Sequence, residues 1–550
     1  MLRAALLTAF AVVATTVAAD PPITSTGGMV VSVSPPATDV GVATLKAGGN
    51  AVDAAVAVAF AEAVTWPEAG NIGGGGFMLV WPGDGKEPVF IDYRETAPAK
   101  ATAEMFAKGV NYQSAVTAGV PGTVRGLELA HAKFGKLKWK ELVAPAVKLA
   151  DGFAVTAGLA KRLNGVLTDK KTTNAEFRRV FGKVGGWKAG DVLKQPDLAK
   201  TLQAVADGGA DAFYTGKVAE QIVAEMTASN GLISAADLKG YTAKVRKPVH
   251  GTYRGYDIYG PSPPSSGGIA VIEMLNMLEL QDVKAHPWAS VETAHLMAEV
   301  MRRAFADRAV HLGDADFVKV PTHLVSKDHA KSLMATFDPD KATRSDALAP
   351  EIDVKDGTNT THFSIIDKSG MAVSNTYTLE NSFGCRVVVR GAGFILNNEM
   401  TDFNHRPGVT TKAGGIGTLP NQIAPGKRML SSMTPTLVAK DGKLRLVTGS
   451  PGGRTIINTV LGVIVNVIDY GADVQAAVDA PRLHHQWFPE RISAEDRPGF
   501  AAFEESLKAK GHAVVKHRQG DAHSIAIDPK TGVRTAGVDK RLDGKGAGTE

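Results

Sequence analysis

Residues 357–367 read Gly-Thr-Asn-Thr-Thr-His-Phe-Ser-Ile-Ile-Asp: a glycine and a run of small hydroxyl and amide side chains leading into a hydrophobic strand. By residue type alone this is a turn entering an edge strand, because Gly and Asn suit turns and β-branched Thr suits strands. A second reading is chemical. From Asp338 to Asn359 the chain is polar with little apolar content, which predicts an exposed, mobile connector that ends at this motif. If the backbone before Thr360 is strained there, the Thr360 hydroxyl can attack the Asn359 carbonyl, shift the peptide onto oxygen as an ester, and leave that ester to water. The product is a second chain beginning at Thr360. Its free α-amine, with a reference pKa of about 8, can serve at neutral pH as the base for the hydroxyl of the same residue. No separate His–Asp pair is then required.

Other residues offer weaker chemistry. Gly452 and Gly453 follow a strand-like run (LRLVTGS) and precede a helical one (TIINTVLGVIVNVIDYG), the place where backbone N–H groups converge on an anion. Gly73 to Gly76 suggest a phosphate loop, but the order here is helix to strand, the reverse of what a phosphate loop needs, so close backbone approach is the better reading. His484 and His485 are adjacent and diverge on a strand, poor geometry for one metal ion, so a buried, hydrogen-bonded role is expected for them. Cys385, in a strand-like run, reads as core or edge.

These candidates need a large frame. Thr38 to Val64 predicts two helices around the turn Gly48-Gly49-Asn50, the second buried on most sides. A strand is expected at Phe77–Trp81 and a strand pair across 251–260. Helices are expected through 201–227, at 269–280 and at 290–308. Strands are expected to dominate 360–396, and a Gly-, Pro- and Asn-rich loop to fill 403–428. No internal repeat occurs. The chain has 550 residues, 44% hydrophobic and 21% charged, which is ordinary for a soluble globular protein with an ample core. Its net charge of +5 is too small and dispersed for nucleic acid to be a partner. No window is apolar enough for a membrane span. Residues 1–19 have the layout of a secretory signal peptide cut after Ala19, which predicts a periplasmic or secreted protein. With one cysteine, no intramolecular disulfide can form.

The ordered strings GGNAVDAAVAVAFAEAV with GNIGGGGFM, DYRETAP, PPSSGG, TTHFSIID, NNEMTDF, KRMLSSMTPT, GSPGG and PRLHHQW resemble the γ-glutamyltranspeptidase family of N-terminal-nucleophile hydrolases, from about Gly27 to the C-terminus. The resemblance implies a four-layer αββα fold and a precursor cut between Asn359 and Thr360 into associating pieces, 20–359 and 360–550. It implies Thr360 as nucleophile and Thr378 as the hydroxyl that orients it. Gly452 and Gly453 match the oxyanion hole. Arg94, assisted by Ser431 and Ser432, matches the ligand of a glutamate α-carboxylate, and Glu399 and Asp402 match acceptors for its α-ammonium. Glutathione and related γ-glutamyl compounds are the implied donors, with water, amino acids or dipeptides as acceptors and neither metal nor cofactor in the reaction.

Two positions depart from the family pattern. Glu380 stands where many relatives have asparagine, which adds a carboxylate near the α-ammonium or the nucleophile's amine. The aromatic gate position of the 403–428 loop is Ala413, which predicts a lid that closes less completely. Two rival readings stay open: an acylase on the same scaffold that cleaves glutaryl-type side chains from β-lactams, and a non-catalytic secreted binding protein.

Overall fold

Ala51–Thr65 is a helix in which every residue is buried, as its alanine and valine content predicts. Asn50 caps it by accepting from the Asp53 N–H, and Asp53 in turn accepts from the Asn50 N–H at 3.0 Å, a reciprocal capping box. This helix lies on one face of a seven-stranded sheet in the computed structural model, which describes residues 21–83, 85–169, 174–348, 359–409, 411–412 and 417–550. The predicted signal peptide, Ala413 and the connector residues 349–358 lie outside the described residues.

The strand order of that sheet is Lys545–Gly548, Met29–Ser32, Thr361–Ile366, Ala372–Thr378, Gly75–Trp81, Val89–Tyr93 and Lys244–Arg246, with neighbours antiparallel. Alternation along its strands divides the core in two. Val30, Met78, Val80, Ile91, Phe363 and Ile365 join the cluster under Ala51–Thr65 and the helices that follow it. Met29, Val31, Phe77, Leu79 and Phe90 face the other way, towards a second sheet. The second sheet runs Thr24–Ser25, Arg534–Val538, His523–Ile527, Lys443–Thr448, Thr436–Lys440, Tyr256–Gly260 and Val249–Tyr253. The helices Gly267–Leu278, Val291–His311 and Thr455–Ile468 pack on its far face. Helix, sheet, sheet, helix is the four-layer αββα arrangement expected.

Below the Thr361–Ile366 strand the two sheets meet through polar side chains. Ser364 Oγ donates to the His523 carbonyl and Ser374 Oγ to the Thr448 carbonyl, each at 2.8 Å. Every strand in the first sheet that comes from beyond residue 360 pairs with at least one from before it, except that Thr361–Ile366 and Ala372–Thr378 also pair with each other.

Three expectations are corrected. Strands end at Thr378, and 379–398 folds as turns with a single bridge between Val388 and Ile395, because Glu380, Phe383 and Arg386 all take positive φ, which no strand can hold. Cys385 therefore lies in a buried turn, not a strand, and burial pushes its thiol up to about 12. The first part of the predicted exposed connector packs: Ser345 is buried and donates through Oγ to the Trp487 carbonyl at 2.7 Å. The remaining expected elements fall where predicted, among them the hairpin Val249–Tyr253 with Tyr256–Gly260. His484 and His485 are buried and bonded to different partners, Asn458 at 2.6 Å and Arg302 at 3.2 Å.

Candidate active site

Thr360 immediately precedes the central strand Thr361–Ile366, and Thr378 closes the strand beside it. Antiparallel pairing of Thr361 with Tyr377 brings the two threonines together across the ladder. Thr360 Oγ1 points at Thr378 Oγ1 from 3.4 Å, long for a hydroxyl–hydroxyl hydrogen bond. Thr378 Oγ1 donates to the Asn359 carbonyl at 2.8 Å and accepts from the Glu380 N–H at 2.7 Å. The φ of +77° at Glu380 sets the direction of that N–H, a conformation a non-glycine residue holds only when its surroundings enforce it. Asn359 is fixed at two further points. Its N–H donates to the Glu380 carbonyl at 3.1 Å, and its Nδ2 donates to Glu68 Oε1 at 2.9 Å, with Glu68 itself paired to Arg162 at 2.6 Å. The peptide that would be cut is thus held with its carbonyl oxygen on a hydroxyl donor.

A recess with an empty volume of about 300 Å³ opens here, lined by Thr360, Thr378, Arg94, Glu380, Asp402, Ser431, Ser432 and Gly453. Residues from six separate parts of the sequence converge on it. Arg94 follows the strand Val89–Tyr93 and is almost fully buried, its Nη1 2.6 Å from Glu399 and 3.7 Å from Glu95, its Nη2 paired with Asp402, and its Nε donating to the Met429 carbonyl at 3.3 Å. Glu399 has no exposed surface and spends its carboxylate on Arg94, so the wall of the recess is Asp402 and Glu380 and not Glu399. Glu380 Oε2 accepts from Asn398 Nδ2 at 2.6 Å.

Three carboxylates around one guanidinium carry more negative charge than it can neutralise. Burial pushes both Glu95 and Glu399 up, against the attraction of Arg94, and each is raised further by its acidic neighbours. Arg94 is driven the other way: burial alone would lower it, but Glu399, Asp402 and Glu95 together hold it charged. A site with surplus acid beside a fixed cation fits a zwitterion whose ammonium meets the acids and whose carboxylate meets the cation.

Ser432 Oγ accepts from Arg308 Nη2 at 2.9 Å, and Ser431 Oγ accepts from the Met433 N–H at 3.1 Å. Gly452 and Gly453 have φ of +129° and +58° and turn the chain into the helix Thr455–Ile468. A Cβ on Gly452 would stand 2.5 Å from Thr455 Oγ1, so this turn excludes larger residues.

Sequence reasoning missed Arg454, Met433 and Ile456, which line the recess, Arg308 and Asn398, which hold residues that do, and Glu68, which holds Asn359. Arg454 adjoins the glycine pair and could have been found from that adjacency. Arg308 gives no local signal. Glu62 was missed as well. It lies within the buried helix Ala51–Thr65 and accepts from Thr361 Oγ1 at 3.1 Å, one position after Thr360. Burial pushes it up to about 8, with Thr361 and His523 pulling the other way. Between its ordinary 4.5 and about 8 the folded chain keeps a proton that the unfolded chain has released, so this group costs stability as pH rises through that window. Glu62→Gln should therefore gain on wild type, by an amount on the order of a few kcal/mol, between pH 5 and pH 8. Urea midpoints at the two pH values check this, and an unchanged gap refutes it.

The Gamma-glutamyltranspeptidase family matches residues 37–549. The glutathione hydrolase proenzyme of Escherichia coli strain K12 is 45% identical over 540 residues, covering 96% of this chain and 93% of its own length. Among solved structures, cephalosporin acylase from Bacillus halodurans is similar with a TM-score of 0.85 at 28% identity, over 99% of this chain and 100% of that one. Gamma-glutamyltranspeptidase from Pseudomonas nitroreducens complexed with L-DON is 43% identical with a TM-score of 0.54, over 57% of this chain and 96% of that one.

Proposed function

The chain belongs to the γ-glutamyltranspeptidase family, and we propose that it is a glutathione hydrolase and γ-glutamyltransferase that makes its own nucleophile. The observation that carries this is the hydroxyl contact of Thr360 with Thr378, with the Asn359 carbonyl bonded to the same Thr378, at a recess that also holds Arg94 and Asp402.

In processing, Thr360 Oγ1 attacks the Asn359 carbonyl carbon while Thr378 Oγ1 stabilises the charge developing on its oxygen. The C–N bond breaks, the nitrogen takes the proton, and water cleaves the resulting ester. In turnover, the Thr360 amine accepts the hydroxyl proton as Oγ1 attacks the γ-amide carbonyl of the donor, and passes that proton to the departing amine. The Gly452 and Gly453 N–H groups would donate to the oxyanion. Water or an acceptor amine then releases the γ-glutamyl group. A donor's zwitterionic end would replace the internal Arg94–Asp402 pair by two pairs, carboxylate on Arg94 and ammonium on Asp402, so that neither of these two groups is left without a partner in either state. Ser431 and Ser432 would add donors to the carboxylate.

Thr378→Ala removes the donor at the scissile carbonyl. Processing should slow by about a hundredfold, the effect of losing one oxyanion donor, followed as loss of the full-length band with time. Thr378→Ser should restore most of the rate, and a variant that matures at the wild-type rate refutes the role.

The rival acylase reading draws on the likeness to cephalosporin acylase. A glutaryl donor lacks the ammonium that Asp402 and Glu380 suit, so γ-glutamyl-p-nitroanilide should be turned over well ahead of glutaryl-p-nitroanilide. The opposite preference would decide for the acylase.

A further inference from the structure

Among the described residues, two places bring three ligating side chains within 4.8 Å of one another, and none of these six residues lines the recess. In the first, His295, Glu299 and His512, the charge is already matched. Glu299 is paired with Arg302 and with Arg303, the latter at 2.6 Å, and His295 Nδ1 lies 2.7 Å from His512 Nε2. Two guanidiniums beside one carboxylate leave nothing for a dication.

The second place has the opposite balance. Glu273 on the helix Gly267–Leu278, Asp307 on the helix Val291–His311 and His329 on the helix Lys327–Met334 converge. His329 Nε2 is 2.6 Å from Asp307 Oδ2 and 3.7 Å from Glu273 Oε1. Glu273 is 1% exposed, and its Oε1, aimed at the imidazole, makes no hydrogen bond. Among the described residues no lysine or arginine pairs with Glu273 or Asp307, and the neighbouring Arg308 directs its guanidinium to Ser266 and Ser432. A buried carboxylate without a donor normally has a reason for being there.

We propose that Glu273, Asp307 and His329 bind one divalent transition-metal ion, Zn²⁺ by ligand type, that takes no part in the proposed acyl transfer. With Zn–N and Zn–O bonds of about 2.1 Å, ligand atoms in a tetrahedral site stand roughly 3.4 Å apart, and the separations of 2.6 and 3.7 Å bracket that value. Imidazole with carboxylates selects a transition metal over Ca²⁺ or Mg²⁺. Asp307 and His329 are each 18% exposed, which gives the ion a way in, while Glu273 closes the inner side. The bound ion would tie three helices of one outer layer together.

The test uses tag-free, processed protein dialysed against chelator and then titrated with Zn²⁺. Equilibrium dialysis with metal analysis should find one Zn²⁺ per chain, and melting should move up by a few degrees. Glu273→Gln and His329→Ala should each weaken Zn²⁺ binding at least about tenfold and abolish the melting shift, while their γ-glutamyl-p-nitroanilide turnover without metal stays at the wild-type level. Substoichiometric uptake by the wild type overturns the site. So does Zn²⁺ binding that survives in both variants, which would place the ion elsewhere. Should one variant fold poorly, the other decides.

Discussion

Thr360→Ala is expected to purify as a single chain of 57.6 kDa, before any leader is removed, where wild type gives pieces of roughly 36 and 20 kDa by share of length. Activity should fall by at least about 10⁴-fold, because in the proposed mechanism one residue supplies nucleophile, base and new terminus together. The geometry explains why no neighbour can substitute. Thr361 Oγ1 is turned towards Glu62, and Thr378 Oγ1 is already committed between the Asn359 carbonyl and the Glu380 N–H. Thr360→Ser should still cut, since it keeps the attacking oxygen. Terminal sequencing of the small wild-type piece should read Thr-Thr-His-Phe. A small piece with any other terminus, or a cut Thr360→Ala chain, would refute self-processing at this bond.

Arg94→Met should be the most damaging change that leaves Thr360 intact. Arg94 is the only cation in contact with Glu95, Glu399 and Asp402 among the described residues, and it and the first two are buried. Removing one partner from a buried ion pair typically costs about 3–5 kcal/mol, because the charge left behind has no solvent. The loss should be smaller at low pH, where the raised carboxyls take up protons, and larger as pH rises and they release them. Urea unfolding at pH 5 and pH 8 measures the difference. KM for a γ-glutamyl donor should also rise steeply. Arg94→Lys separates the two effects. It keeps a charge for the acids but loses the planar fork, so stability should largely recover while KM stays high. If the lysine variant binds donor as wild type does, Arg94 does not hold the α-carboxylate.

The sequence carried these residues unequally. Thr360 was legible because its chemistry is local: a polar approach, a hydroxyl and a strand follow one another along the chain. Arg94, Asp402, Ser431 and Ser432 were legible only as strings in a known order, since each alone reads as a turn or a solvated residue. The layers were legible because alternation in strands such as Gly75–Trp81 commits each side chain to one face. The turns at 379–398 were not, because β-prone residues there sit at positive φ for tertiary reasons: the Phe383 N–H donates to the Glu68 carbonyl, more than three hundred positions earlier in sequence. Glu62 was invisible for a similar reason. Its contact with Thr361 spans 299 residues, and its surroundings in the sequence are alanine and valine.

The alternation of strands from either side of Thr360 has a consequence for the order of events. Met29–Ser32 lies between Lys545–Gly548 and Thr361–Ile366, so neither fragment can finish its share of the sheet by itself. Before the cut, assembly is a one-body problem whose yield does not depend on dilution. Afterwards it is a two-body encounter between incomplete partners. Denatured precursor should renature at any protein concentration, whereas denatured mature enzyme should recover less as it is diluted, which makes scission a step that only an already folded molecule can survive.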